Sequence, residues 1–198
     1  TATATIATTG AIKKFTITNR GNMSYTQVPD VAVSGTGSGA GTAQMGAGQR
    51  VIAVTVDAGG SGFVSPTIAF DAPPQQTFVG GVAAITTATN SIIITGHPFE
   101  TGQQISLDTT TLDPAAVAPT GLAAGTYYAI RVDADTFKVA SSQSNANNGT
   151  EVPITGVGSG NMFFQGVTAT GNVTLTGDAI TGVTITNNGT GYTGAPLT

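Results

Sequence analysis

The sequence predicts an all-β fold, in which short antiparallel β-meander repeats form a sandwich-like scaffold with an inserted small β-module. One segment type, an alternating apolar and polar run followed by a glycine loop, an aromatic residue and a proline, occurs three times in the 198 residues. Charged residues make up only 8% of the chain, against about 25% in ordinary domains. β-Branched residues and glycine are abundant instead, and both disfavour helix.

Each repeat begins with a strand whose apolar residues alternate with polar ones and therefore share one face. The glycines supply a sharp loop, and the aromatic ring can lie over their bare backbone. The proline opens the next strand, where its missing N–H is tolerated. We expect a structural repeat core made of Phe15, Ile17, Tyr25 and Pro29 in the first copy, Val54, Val56, Phe63 and Pro66 in the second, and Val183, Ile185, Tyr192 and Pro196 in the third.

The spacing of the aromatic residues predicts an insertion. Tyr25 and Phe63 are 38 residues apart, whereas Phe63 and Tyr192 are 129 apart. The excess places a separate module after the second repeat. The predicted organisation is an N-terminal strand or arm over 1–10, repeats 1 and 2 over 11–79, the inserted β-module over 80–165 and an incomplete third repeat over 166–198.

Within the insertion, alternating runs predict strands over 91–95 and 104–108. Residues 128–140 read as a hairpin that turns at Asp133 and Asp135. We expect one helical turn over 142–148, and further strands over 151–155 and 161–164.

Composition excludes several classes of function. The net charge is −4 and the six basic residues are scattered, so nucleic-acid binding is not expected. The absence of cysteine removes disulfides and thiolate metal sites. No apolar run is long enough for a transmembrane helix, so no membrane insertion is expected.

The chain offers little catalytic chemistry. His97 is its single histidine, and no motif places a serine or carboxylate beside it, so we expect a structural or solvated role. Asp133 and Asp135 are the weak candidates for a metal site, but a turn explains both residues as well. A carboxylate pair for glycoside hydrolysis needs only proximity in space, which leaves that possibility open. We expect a protein that is not an enzyme and has no cofactor.

Two stretches resemble segments of bacteriophage proteins. The sequence ITNNGTGYTGAP, over 185–196, resembles the glycine-tyrosine repeats of large virion proteins, especially tail fibres and other appendages. GHPFETG (96–102), GTYYAI (125–130) and VDADTFKVA (132–140) together resemble a small β-module spliced into many phage tail and surface proteins. The first repeat departs from the glycine-tyrosine pattern, because Asn22-Met23-Ser24 stands before its aromatic residue where the pattern has Gly-x-Gly. Neither family implies catalytic residues.

The resemblance implies a structural protein of a virion: a tail fibre, an appendage or a capsid-decoration component, located in the extracellular particle. Its partners would be copies of itself, other virion proteins and a host-surface receptor, with roles in assembly and adhesion. Two alternatives stay open: a secreted bacterial adhesin or filament subunit, and a piece of a glycan depolymerase.

The two ends of the sequence fall within repeats. Residues 1–6 match the small-residue strand that precedes a repeat, and the return strand after Pro196 is missing. One hypothesis is that a neighbouring subunit adds its 1–7 arm at the open edge. The equal alternative is that the chain is a piece of a longer array.

Overall fold

The computed structural model describes residues 2–6, 12–17, 31–34, 40–46 and 48–193. Within these ranges the chain forms antiparallel sheets and one five-residue helix, which confirms the expected all-β class. The repeat strands are β1 (Ala2–Ile6), β2 (Ile12–Ile17), β3 (Val31–Ser34), β4 (Ala40–Gly46), β5 (Arg50–Ala58), β6 (Thr67–Phe70), β14 (Thr170–Thr176) and β15 (Ala179–Asn187). Between them lie β7 (Gln76–Gly80), β8 (Ile85–Thr86), β9 (Ser91–Ile93), β10 (Gln104–Asp108), β11 (Gly125–Arg131), β12 (Thr136–Ala140), α1 (Gln143–Asn147) and β13 (Gly160–Gly166).

The repeats are built from equivalent hairpins. β1 pairs with β2, β4 with β5, and β14 with β15, each antiparallel. The strands after the glycine loops pair across repeats: β3 of the first repeat is hydrogen-bonded to β6 of the second. A return strand therefore completes a sheet with its counterpart in the neighbouring repeat, which links the two repeats through backbone hydrogen bonds.

The region between the second and third repeats forms one seven-stranded sheet with the order β7-β13-β10-β11-β12-β9-β8. Its strands span residues 76 to 166, whereas the sequence predicted an insertion over 80–165. The predicted hairpin is present as β11 and β12, with Ala129 opposite Val139. The predicted helical turn is α1, whose N-cap Ser142 accepts a hydrogen bond from the Asn145 N–H.

One predicted strand is wrong. Residues 151–155 form no strand, although the chain runs beside β12 and the Val152 N–H donates to the Val139 carbonyl at 2.7 Å. Backbone groups alternate sides along a strand, so the next donor toward β12 would be the Ile154 N–H. The Ile154 N–H is satisfied by the side chain of Asn90 instead, at 2.8 Å.

Two apolar clusters hold the two regions. The larger one lies against the seven-stranded sheet and includes the fully buried Phe99, Phe137 and Phe164. The smaller one lies within the repeats, and its buried members are Ala43, Val51, Phe70, Ala169 and Tyr192. Small side chains dominate the second cluster, so apolar burial stabilises the repeats less than it stabilises the sheet.

The expected repeat-core residues have different positions. Phe63 and Tyr192 are 3% and 2% exposed. Val54 and Ile185 pack at the margin of the smaller cluster, while Val56, Pro66 and Val183 are half-buried. Phe15 and Ile17 lie on β2, opposite Ala4 and Ala2. Tyr25, Pro29 and Pro196 lie outside the described residues.

The N-terminal arm is part of a hairpin within its own chain. Ala2–Ile6 forms β1, and its backbone pairs with β2 from Ala2 opposite Ile17 to Ile6 opposite Ile12. In this single chain one edge of the arm is therefore paired with β2. The edge after Pro196, where the donated strand was expected, falls outside the described residues.

Candidate functional site: the repeat junction and an adjoining cleft

The glycine loop of the second repeat docks on the hairpin turn of the third. The Ile180 N–H donates to the Gly59 carbonyl at 3.0 Å, and the Phe63 N–H donates to the Asp178 carbonyl at 3.1 Å. The Gly62 N–H also donates to the Asp178 carboxylate at 2.9 Å. The loop from 59 to 63 is thereby fixed at both ends by the turn between β14 and β15.

The glycine loop of the third repeat docks in the same way on the second. The Val51 N–H donates to the Asn188 carbonyl at 2.9 Å, and the Tyr192 N–H donates to the Gln49 carbonyl at 3.2 Å. Every one of these positions is 129 residues from its counterpart in the other loop or turn. Each repeat therefore gives its loop to the other repeat's turn, which is the self-complementary pattern of a two-fold interface.

Glycine is required where the loops approach other backbone. A Cβ on Gly59 would lie 2.3 Å from the Ile180 oxygen. Gly189 has a φ of 65°, and a Cβ there would lie 2.7 Å from the ring of Tyr192. The aromatic ring thus covers bare glycine backbone, as its place in the repeat predicts. A side chain at either position would separate the docked surfaces.

Tyr192 fixes the junction through its hydroxyl as well as its ring. The hydroxyl accepts a hydrogen bond from the Ala169 N–H at 2.8 Å and donates to the Asp71 carbonyl at 2.9 Å. Burial is the main cause that raises the pKa of this hydroxyl above its ordinary value of 10.0. The phenol therefore stays protonated and donates to Asp71 throughout the physiological range.

The loop of the third repeat also contacts the seven-stranded sheet. The Thr190 hydroxyl donates to the Gln104 carbonyl at 2.6 Å and accepts from the Val167 N–H at 2.9 Å. A Cβ on Gly166 would lie 1.9 Å from the backbone carbonyl oxygen of Thr190. On the other side, the Gln103 side chain of the inserted region donates a hydrogen bond to the Gly48 carbonyl of the second repeat. Both docked repeats are therefore attached to the sheet.

A polar cleft of about 350 Å³ adjoins this junction. It lies between the start of β5, the end of β15 and the face of the sheet near α1. The residues whose side chains give it its character are Arg50, Gln104, Tyr128, Gln143, Asn187 and Thr190. Sequence reasoning did not single out Arg50, because a lone arginine in an alternating strand carries no motif.

His97 is packed inside the seven-stranded sheet's core. It is 4% exposed, and its ring lies 4.8 Å from that of Phe137 and 5.7 Å from that of Phe99. Its Nδ1 accepts from the Phe99 N–H at 3.2 Å, so the neutral ring carries its proton on Nε2. Burial is the main cause that lowers the pKa of His97 below 6.5. Within the described chain Nε2 has no hydrogen-bond partner.

Asp133 and Asp135 organise the turn between β11 and β12. The Asp133 carboxylate accepts from the Asp135 N–H at 2.8 Å, which is the main cause that lowers the pKa of Asp133. The Asp135 carboxylate accepts from the Gly96 N–H at 2.8 Å and so ties this turn to the segment before His97. Among residues 48–193 and the described segments before them, no three histidine or acidic side chains gather in a group that could hold a metal ion.

Comparison of the chain with protein-family models, with curated proteins and with solved structures gave no match. In the part of the chain that the structure describes, no helix is long and apolar enough to cross a membrane.

Proposed function

We propose that this protein is a non-enzymatic structural component of a bacteriophage particle, of the tail-fibre, appendage or capsid-surface type. The observation that carries the proposal is the reciprocal docking of the second and third repeats. The loop that resembles phage glycine-tyrosine repeats is also the element that docks. Contacts of this self-complementary kind can join repeats within one chain or between chains, which suits assembly with copies of itself and with other virion proteins.

The inserted sheet supports a role in display. It has its own aromatic core and joins the scaffold through the third loop and Gln103. A rigid sheet carried on a docked scaffold is suited to contact with a host-surface receptor, because recognition residues gain precision when they stand on a fixed framework. Attachment is therefore the proposed role of this displayed region.

The use of the acidic residues supports the non-enzymatic part of the proposal. Asp108, Asp133, Asp135 and Asp178 accept backbone N–H groups of turns. Glu100 is paired with Arg131, and Glu151 is paired with Lys138 at 3.2 Å. Carboxylates used in this way stabilise the fold, and their commitment to turns and ion pairs leaves them unsuited to act as a free acid and base pair.

Fractionation of a lysate from the natural source, with an antibody raised against the purified chain, tests the proposal. We expect the protein to co-sediment with density-purified phage particles, and gold-labelled antibody to decorate an appendage or the capsid surface. A signal confined to the envelope of uninfected cells would overturn the proposal in favour of an adhesin. Release of reducing ends from host polysaccharide by the purified chain would overturn its non-enzymatic part.

A further inference from the structure

We propose that the cleft at the repeat junction binds a saccharide that carries a carboxylate, with Arg50 as the residue that recognises the carboxylate. This inference concerns binding by the isolated chain and goes beyond the proposed place of the protein in a particle. It begins from an arginine that the repeat architecture does not need. Ala11 and Ala179 stand at the equivalent sequence positions of the other two repeats, so hairpin formation and docking do not require a guanidinium.

Among the described residues Arg50 has no ion-pair partner, whereas Arg131 and Lys138 each have one. Arg131 is paired with Glu100, and Lys138 with Glu151. Arg50 has no acidic partner among the described residues, and its Nε is buried without a hydrogen-bond partner. A buried donor left unsatisfied is costly, which favours an acceptor that comes from outside the chain.

The volume and the charge of the cleft suit a ligand that carries such an acceptor. Its volume of about 350 Å³ lies within the range of small-ligand sites, about 300–1,000 Å³. Among the described residues that line it, Arg50 is the single charged one, so a carboxylate would meet one cation and no anion of that lining. The planar guanidinium offers the paired N–H groups that a carboxylate accepts.

The other polar groups favour a saccharide over a simple anion. Within the described chain, the Gln104 amide and the Tyr128 hydroxyl make no side-chain hydrogen bond. The Gln143 amide nitrogen donates to the Gly102 carbonyl at 3.1 Å, which leaves its oxygen as an acceptor. The Asn187 oxygen accepts from the Gly189 N–H at 2.9 Å, which leaves its amino group as a donor. Sugar hydroxyls both donate and accept, and so match this mixture.

The aromatic ring in the lining completes the match. Tyr128 is half-buried on β11 and presents an apolar ring with a polar tip. A sugar ring has one apolar face and a rim of hydroxyls, so it can lie against such a side chain while its rim meets the amides. Two classes of acidic sugar satisfy this chemistry, uronic acids and sialic acids, and they are separated by experiment.

Calorimetric titration of the purified full chain tests the proposal, with a galacturonic acid trisaccharide, with sialyllactose and with lactose as the neutral control. We expect one or both acidic sugars to bind, and lactose to bind at least about tenfold more weakly because it cannot engage Arg50. The acidic sugar that binds more tightly identifies the class. No binding of either acidic sugar, or equal binding of lactose, would overturn the proposal.

Matched variants locate the site. Arg50→Gln should weaken binding of the acidic sugar about tenfold or more, and Arg50→Lys should recover part of it, because lysine keeps the charge without the planar fork. Lys138→Gln removes the same charge outside the cleft and should leave affinity unchanged. Equal losses in Arg50→Gln and Lys138→Gln would overturn the assignment to the cleft.

A second lining variant keeps the test decisive if Arg50→Gln disturbs the fold. Gln143 is exposed, so Gln143→Ala should fold normally and weaken binding severalfold. Unchanged affinity in this variant together with unchanged affinity in Arg50→Lys would contradict the proposal. Particle fractionation is a separate measurement, so binding can fail while the proposed virion role stands, and the reverse also holds.

Discussion

The repeat scaffold and the seven-stranded sheet are stabilised in different ways. The scaffold has a small cluster with few large side chains, and backbone hydrogen bonds between glycine loops and hairpin turns join its second and third repeats. The sheet has a continuous aromatic core in which Phe137 touches three other rings. Removal of a side chain should therefore harm the sheet most, whereas addition of a side chain should harm the scaffold most.

Phe137→Ala should have the largest effect, because Phe137 is fully buried and its ring lies 5.2 Å from that of Phe99 and 5.3 Å from that of Phe164. We expect the free energy of unfolding to fall by about 3–5 kcal/mol, as measured by urea denaturation. Val132→Ala is the control, since Val132 is 53% exposed and should change stability by less than about 0.5 kcal/mol. Equal losses in the two variants would refute the aromatic core.

Gly59→Ala should destabilise the scaffold by adding a side chain where two backbone segments are in contact. Its new Cβ would meet the Ile180 oxygen, and overpacking of this kind costs about 1–3 kcal/mol. Hydrogen exchange should show faster exchange of the Phe63 and Ile180 amides, with β10–β12 still protected. In the control Gly182→Ala, the Cβ would be 3.9 Å from its nearest neighbour, and stability should stay level or rise. Protection unchanged at Ile180 in Gly59→Ala would contradict the docking.

Tyr192→Phe isolates the hydrogen bonds of the junction from its packing. The variant keeps the ring but leaves the Ala169 N–H and the Asp71 carbonyl without their partner, which should cost about 1–3 kcal/mol in thermal or urea unfolding. Tyr128→Phe removes a hydroxyl with no hydrogen bond in the described chain and should be nearly neutral. If both variants are neutral, the junction depends on packing alone.

The smallest effect is a dependence of the sheet on pH. Burial lowers the pKa of His97 in the folded chain below 6.5, so the unfolded chain binds more protons below that pH. The free energy of unfolding should therefore fall as the pH drops from about 7 to 5, by less than about 1.4 kcal/mol per pH unit. Denaturation curves at several pH values measure this slope.

His97→Asn is the matched variant for the pH experiment. An asparagine oxygen can accept the Phe99 N–H that Nδ1 accepts in the wild type, and the side chain does not titrate. Its stability should be lower but flat between pH 7 and 5. The carboxylates whose pKa values are lowered, among them Asp108 and Glu151, lose their contribution in more acidic solution. An unchanged slope in the variant would assign the effect to another group.

Local patterns in the sequence predicted the individual elements better than their partners. Alternation located β5, β15 and the hairpin of β11 and β12, because strand formation there follows from side chains on one face. It failed at 151–155, where the Ile154 N–H bonds to the Asn90 side chain and the ladder with β12 ends. The 129-residue spacing between Phe63 and Tyr192 identified equivalent positions, but not that each loop docks on the other's turn. Reciprocity depends on how the repeats face each other, and no local preference encodes that.

The candidate cleft was beyond sequence reasoning for a related reason. Its lining comes from β5, from the end of β15 and from the sheet near α1, which are far apart along the chain. The one available signal was a departure from the repeat, since Arg50 stands where the other two copies have alanine, Ala11 and Ala179. A charge found in one copy of a repeat marks a position that the shared architecture does not explain.

The entry and exit strands of the inserted sheet are neighbours. β7 pairs with β13, with Gln76 opposite Phe164 and Gly80 opposite Gly160, so the chain leaves the scaffold and returns to it across one strand spacing, about 5 Å. A domain whose termini lie equally close could be joined at the same two points, at the cost of the hydrogen bonds that Gln103 and Gln104 make to the repeats. Recombination could thus exchange the inserted domain as a cassette, and a laboratory could graft a chosen domain there.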